Sequence, residues 1–240
     1  MNILVTGVSK GLGLTICKAL LAQGDTVYAI SRNHTLDVEN LKNIYQERFI
    51  FKSFDLSNSA EIHRIVFKEF VNNHISLNGL VNNAAVAYDD IITNLNLDKL
   101  ESMYHTNVYS PMILTKYTIR NMIFNKIRGS IIHISSISTH TGYKGLAMYA
   151  SSKGALEAFS KNTAREWGGI GIRSNVIVPG FMETAMSATL SDEQKNRIYK
   201  RTSLKMATDV NSVAETVAFL LSEKAASITG QNIHVDNGTI

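Results

Sequence analysis

The chain has 240 residues, 45% hydrophobic and 18% charged, with a formal net charge of +4. This composition excludes a disordered chain, so modest a charge gives no ground for a nucleic-acid partner, and no run reaches the roughly 18 apolar residues of a membrane-spanning helix. The single cysteine, Cys17, excludes an internal disulfide, and with a start (MNILVTGVSK) that lacks the basic and apolar regions of a signal peptide it points to a reducing cytoplasm.

Ile3-Leu4-Val5 is a continuous apolar run, as expected of a strand buried on both faces of a parallel sheet. It leads into Thr6-Gly7-Val8-Ser9-Lys10-Gly11-Leu12-Gly13 and then an amphipathic helix to about Gln23, with Gly24 as its stop. Strand, glycine-rich turn and helix form a setting that binds a pyrophosphate, because glycines let the backbone approach and the N–H groups of the helix start face the charge. Gly7, Ser9, Lys10, Gly11, Leu12 and Gly13 are therefore the candidate dinucleotide contacts. The same residues also spell G-x-S-x-G, the nucleophile elbow of α/β-hydrolases. On a first strand, no earlier strand could supply that enzyme's oxyanion loop.

The second strand, Thr26–Ile30, ends in Ser31-Arg32. An acid about 20 residues past the glycine loop would bind the adenosine ribose of NAD, whereas an arginine suits the 2′-phosphate of NADP. The chain has no acid there, and Arg32 with Lys10 favours NADP(H). A helix near 36–47 precedes a third strand, Phe49–Phe51, and then Asp55-Leu56. Asn58 with Glu61 predicts a capping box for a helix to Asn73 carrying Ile62, Ile65, Val66 and Phe70 on one face.

Leu80-Val81 is a fourth strand, running into Asn82-Asn83-Ala84-Ala85. A helix near 97–105, Asn107 and a long helix to about Lys126 follow, then a fifth strand over 131–135. Ser136 stands just after it, Tyr149 thirteen residues later and Lys153 four beyond that, within a second long helix. Four residues place Tyr149 and Lys153 on one helix face. An ammonium beside a phenol eases loss of its proton, which makes Tyr149 a candidate acid toward a carbonyl oxygen. A sixth strand, 175–178, meets Pro179-Gly180; a polar segment, 181–207, precedes a helix with Val213, Val217, Leu220 and Leu221; Ile233–Val235 closes the chain. Residues 191–205 hold five basic and two acidic side chains, which suggests a lid near 181–207 over an anionic substrate. No histidines have metal-site spacing.

Strands alternating with helices predict an α/β, Rossmann-type doubly wound parallel sheet of about seven strands with helices on both faces. With two prolines and no linker-like run, residues 1–240 read as a single dinucleotide-binding domain.

Taken together, these residues resemble the short-chain dehydrogenase/reductase family over nearly the whole chain. The resemblance assigns Asn107, Ser136, Tyr149 and Lys153 to the family's catalytic tetrad. It assigns Asp55 and Leu56 to the adenine, Asn83 and Ala84 to the N-N-A-G motif, and Pro179, Gly180 and Thr184 to the nicotinamide, with Tyr149 and Lys153 also touching the cofactor. In the family's mechanism the tyrosine donates the proton and the lysine lowers its pKa and holds the nicotinamide ribose. The serine hydrogen-bonds the substrate oxygen, and the asparagine holds a water that reconnects the lysine to solvent. P-G-F-M-E-T-A-M at 179–186 and S-I-T-G-Q-N-I-H-V-D-N-G at 227–238 most resemble 3-oxoacyl-(acyl-carrier-protein) reductases. That implies NADP(H)-dependent reduction of a 3-oxoacyl thioester by a homotetramer built through the two long helices and the last strand.

Three departures stand out. Ala85 replaces the family's glycine. Ile127 and Ile170 occupy positions that are basic in carrier-protein-dependent members, so docking of an acyl carrier protein would fall to Arg128 or Arg173. The 137–148 loop, with Thr139, His140, Thr141, Tyr143 and Lys144, is more polar than a plain acyl chain requires, which leaves a polar ketone such as a keto-sugar as the alternative substrate. A non-catalytic NADP-binding protein is the alternative from another class, and the intact tetrad argues against it.

Overall fold

A computed structural model describes residues 1–72, 74–184 and 191–239. Asn73, the end of the 179–186 motif and the 185–190 part of the expected lid lie outside the described residues.

Among the described residues, seven parallel strands form one sheet in the order β3-β2-β1-β4-β5-β6-β7. They span β1 Asn2–Thr6, β2 Thr26–Ser31, β3 Phe49–Ser53, β4 Gly79–Asn82, β5 Ser130–Ile134, β6 Arg173–Pro179 and β7 Asn232–Val235. Alternation along β1 assigns its side chains to two cores. Ile3 and Val5 face one layer with α1 (Gly11–Ala22) and α7 (Val210–Leu221), contributing to a cluster with Ile16, Leu20, Val213 and Val217. Leu4 faces the other, with Ile62, Val66, Leu114 and Met122. The direction of strand addition reverses between β1 and β4, opening a crevice outside their carboxyl ends where ligands of such sheets bind.

Three local expectations change. Asn58 caps only a short 3-10 turn and makes no side-chain cap, and Glu61 turns to Arg64, whose Nε donates to Oε2 at 2.8 Å, rather than back to the cap. The segment that follows, His63–Phe70, is π-helical and ends before Asn73. The helix near 97–105 and the later long helix are joined: α3 (Leu97–Tyr104) runs through a π turn at His105–Tyr109 into α4 (Ser110–Phe124). The polar segment contains α6 (Asp192–Arg201), closed at its start by a Ser191–Gln194 capping box.

No helix among the described residues is long and apolar enough to cross a membrane. Cys17 is buried in the first core, and burial pushes its thiol pKa well up.

Candidate active site

The glycine loop is held from behind. Gly7 takes φ +75°, and a Cβ built on it would sit 2.7 Å from the Ala84 Cα; one on Gly13 would sit 2.1 Å from the Gly7 carbonyl oxygen. The Asn83 side chain donates to the carbonyls of Thr6 (2.9 Å) and Gly7 (3.2 Å). Thr6 Oγ1 accepts both the Asn83 and Ala84 N–H groups at 3.1 Å and donates to the Val81 carbonyl. Thr6 thus clamps β1 to the segment after β4, a role that sequence reasoning missed although the residue opens the motif.

At the start of α1, Lys10 is the extended N-cap and its side chain makes no capping bond. The first-turn N–H groups of Gly11, Leu12 and Gly13 therefore face the crevice without a side-chain cap, as an anion site requires. Lys10 and Arg32 are both exposed, and Thr35 Oγ1 bonds the Ser9 carbonyl at 3.0 Å, joining the glycine loop to the segment after β2. Asp55 is half-buried, its Oδ1 accepting the Ser57 N–H, and Leu56 is buried. Pro179 ends β6; a Cβ on Gly180 would meet Thr208 Oγ1 at 2.5 Å and the Asp236 Cα at 2.7 Å. Thr184 comes within 3.9 Å of a Cβ built on Gly11, which brings the chain after β6 over the glycine loop. The glycine cradle, the uncapped helix and the two cations fit a dinucleotide.

Beside this cradle, α5 (Ala147–Trp167) carries Tyr149 and the buried Lys153. Lys153 Nζ donates to the Ile134 carbonyl at the end of β5 (2.8 Å) and lies 5.9 Å from the centre of the Tyr149 ring. Burial pulls its pKa down to about 8. The expected lowering of the Tyr149 pKa does not occur in the protein alone. Burial first, and then the Asp89 carboxylate, push it up to about 12, against the opposing pull of the Ser136 hydrogen bond.

Ser136 caps a 3-10 turn over Ile137–Thr139. Its Oγ accepts the Ser138 N–H (3.2 Å) and the Ser138 hydroxyl (3.0 Å), so its own proton is left to donate. Asn107 is fully buried in the π turn. Its Oδ1 accepts the Val86 N–H, and its Nδ2 donates to the Val86 carbonyl and to Ser152 Oγ, all within 3.0 Å. Both amide protons are committed to the scaffold.

The polar loop is largely self-satisfied. Thr141 bonds the Ile137 carbonyl, and Thr139 and His140 reach Glu157. Tyr143 instead lies under the Arg201 guanidinium, 5.2 Å away, which packs α6 against this loop. Of the two substitutes for the missing docking cations, Arg173 is committed to the carbonyls of Leu220 (2.7 Å) and Ser222 (3.1 Å) at the end of α7, while Arg128 is exposed. Groups of His, Cys, Asp or Glu able to hold a metal are absent among the described residues.

A family model described as enoyl-(acyl carrier protein) reductase matches residues 7–239. The chain is 34% identical to the 3-oxoacyl-(acyl-carrier-protein) reductase of Escherichia coli K12, over 98% of this chain and 95% of that one. It is 32% identical to an L-xylulose reductase of Caenorhabditis elegans, over 99% and 94%. Among solved structures it is similar to 4-hydroxyisoleucine dehydrogenase complexed with NADH, with a TM-score of 0.93, 27% identity and coverage of 99% and 98%.

Proposed function

The chain belongs to the short-chain dehydrogenase/reductase family of oxidoreductases, and we propose that it uses NADP(H) to reduce a ketone, a 3-oxoacyl thioester, to a secondary alcohol. The observation that carries this reading is the grouping of Ser136, Tyr149 and Lys153 around the end of β5, next to a glycine cradle fitted for a dinucleotide.

Gly7, Gly11 and Gly13 with the start of α1 would hold the pyrophosphate, Lys10 and Arg32 the 2′-phosphate, Asp55 and Leu56 the adenine, and Asn83, Ala84, Pro179, Gly180 and Thr184 the nicotinamide half. Bound NADPH supplies the hydride for the ketone carbon. Tyr149, kept protonated through the neutral range by its raised pKa, donates its proton to the carbonyl oxygen as charge develops there. Ser136 donates its remaining hydrogen bond to the same oxygen. Lys153, fixed on the Ile134 carbonyl, places a positive charge beside the tyrosinate that proton transfer leaves and opposes its build-up of negative charge. With the Asn107 side chain committed to Val86 and Ser152, any water it holds rests on its backbone carbonyl, in a π turn of the kind frequent at functional sites.

A polar ketone such as a keto-sugar is the second reading. It is favoured by the commitment of Arg173 to α7, which leaves Arg128 alone for an acidic carrier protein. NADPH oxidation with 3-oxoacyl thioesters, simple ketones and keto-sugars decides between the two. Tyr149→Phe should lower turnover of the best substrate by at least about 10³-fold; near wild-type turnover would remove the assignment. Assembly as a homotetramer through α4, α5 and β7 belongs to the same proposal, with mass measurement in solution as its check.

A further inference from the structure

Glu157 stands one helical turn beyond Lys153 on α5, and the reaction proposed above gives it no role. Its side chain is only 12% exposed, and the His140 ring nitrogen Nε2 lies 3.1 Å from Oε2. A buried carboxylate is costly unless its lone pairs are satisfied. Here they are: Oε1 accepts from Ser135 Oγ at 2.5 Å and Thr139 Oγ1 at 2.7 Å, and Oε2 accepts from Asn232 Nδ2 at 2.9 Å.

The donors are not scattered. Ser135 immediately precedes Ser136, and Thr139 follows it by three residues; its single hydroxyl proton lies between Glu157 Oε1 at 2.7 Å and the Ser136 carbonyl at 2.9 Å. Asn232 opens β7, the strand beside β6. One carboxylate therefore ties the residues on both sides of Ser136 to α5, the helix that carries Tyr149 and Lys153, and to the edge strand. Carboxylate acceptors make stronger hydrogen bonds than neutral ones, and two acceptor oxygens facing hydroxyl and amide donors cannot be reproduced by an amide.

We infer that Glu157 is a positioning residue: it fixes the Ser136 turn so that the serine hydroxyl meets the same carbonyl oxygen as the Tyr149 phenol. The inference rests on the ketone-reductase reading. A carboxylate at this distance acts on the serine through Ser135 and Thr139, so its effect should disappear once the serine hydroxyl is gone.

The test is a double-mutant cycle on the full chain with NADPH and the best ketone of the panel. Glu157→Gln should lower kcat about tenfold to a hundredfold, the range of a misplaced oxyanion donor, and leave the KM for NADPH within about twofold. In a Ser136→Ala background the same change should cost less than about threefold. Thr139→Val removes one tie and leaves Ser135 and Asn232 on the carboxylate; it should show the same pattern at about threefold to tenfold, and it carries the test if Glu157→Gln does not fold. Undiminished kcat in both variants, or losses that multiply fully with Ser136→Ala, would overturn the inference while leaving the reductase reading intact. A wild-type protein that turns over no ketone would overturn both.

Discussion

Replacing Gly13 by alanine probes the cradle at its tightest point. Gly13 needs no positive φ, so the penalty is one of space alone: the new Cβ would lie 2.1 Å from the Gly7 carbonyl oxygen and 2.5 Å from Asn83 Nδ2, where ordinary contact starts near 3.4 Å. Neither neighbour can swing aside. The first is backbone, and the second is pinned by its bonds to Thr6 and Gly7. Relief requires the loop to move by about an ångström and break at least one of those bonds. Overpacking of this kind costs about 1–3 kcal/mol and a lost buried hydrogen bond about 1 kcal/mol more. At about 2–4 °C per kcal/mol for a chain of this size, thermal unfolding should shift down by roughly 5–15 °C. A displaced loop no longer aims its N–H groups, so NADPH affinity measured by calorimetry should fall at least about tenfold. Gly168→Ala is the control, since nothing lies within 4 Å of its Cβ; it should be neutral or stabilising by up to about 1 kcal/mol. A Gly13→Ala protein with unchanged unfolding temperature and affinity would refute this account of the loop.

Three other outcomes follow from the site. Arg32→Asp removes the exposed cation at the end of β2; the KM for NADPH should rise about ten- to a hundredfold, as loss of a charged hydrogen bond implies, with that for NADH unchanged or lower. Asn107→Ala leaves the Val86 N–H and carbonyl without their partner; each such loss costs about 1–3 kcal/mol, so unfolding should fall well below wild type even with cofactor present. The lowered Lys153 pKa sets a pH limit. The ammonium is present below about 8 and lost as pH rises through that value, so the reduction rate should fall along a limb near pH 8, and a rate flat to pH 10 would contradict it. For stability the sign is the reverse. The unfolded lysine holds its proton up to about 10.4, so between these values the unfolded state binds more protons and this residue's contribution to stability rises with pH.

The strands and the glycine loop were legible because their signals are local: apolar runs of strand length and glycines at a strand–helix junction. The Tyr149–Lys153 pair was legible for the same reason, as a four-residue spacing on one helix. What escaped is the side-chain bonds that join residues far apart in the chain. Asn107 bonds a residue 21 positions away, Asn83 reaches back 76 and 77 positions to the glycine loop, and Glu157 gathers donors 17, 18, 22 and 75 positions away. No periodicity encodes such pairs. The Asn58–Glu61 box misled because Arg64, three residues on, takes the Glu61 carboxylate instead. The raised Tyr149 pKa shows the same limit, for spacing puts an ammonium near a phenol and says nothing of the water removed from both.

The Thr6 clamp has a consequence for how this protein breathes. Surface loops ordinarily open for small free energies, and their amides exchange with solvent quickly. The amides of Asn83 and Ala84 are both bonded to the buried Thr6 hydroxyl at the end of β1, and that of Gly7 to the Ile30 carbonyl of β2 at 2.8 Å, so their opening should be coupled to the end of β1. Slow exchange at these three amides, measured against those of the exposed segments, would tie the shape of the cradle to the middle of the sheet.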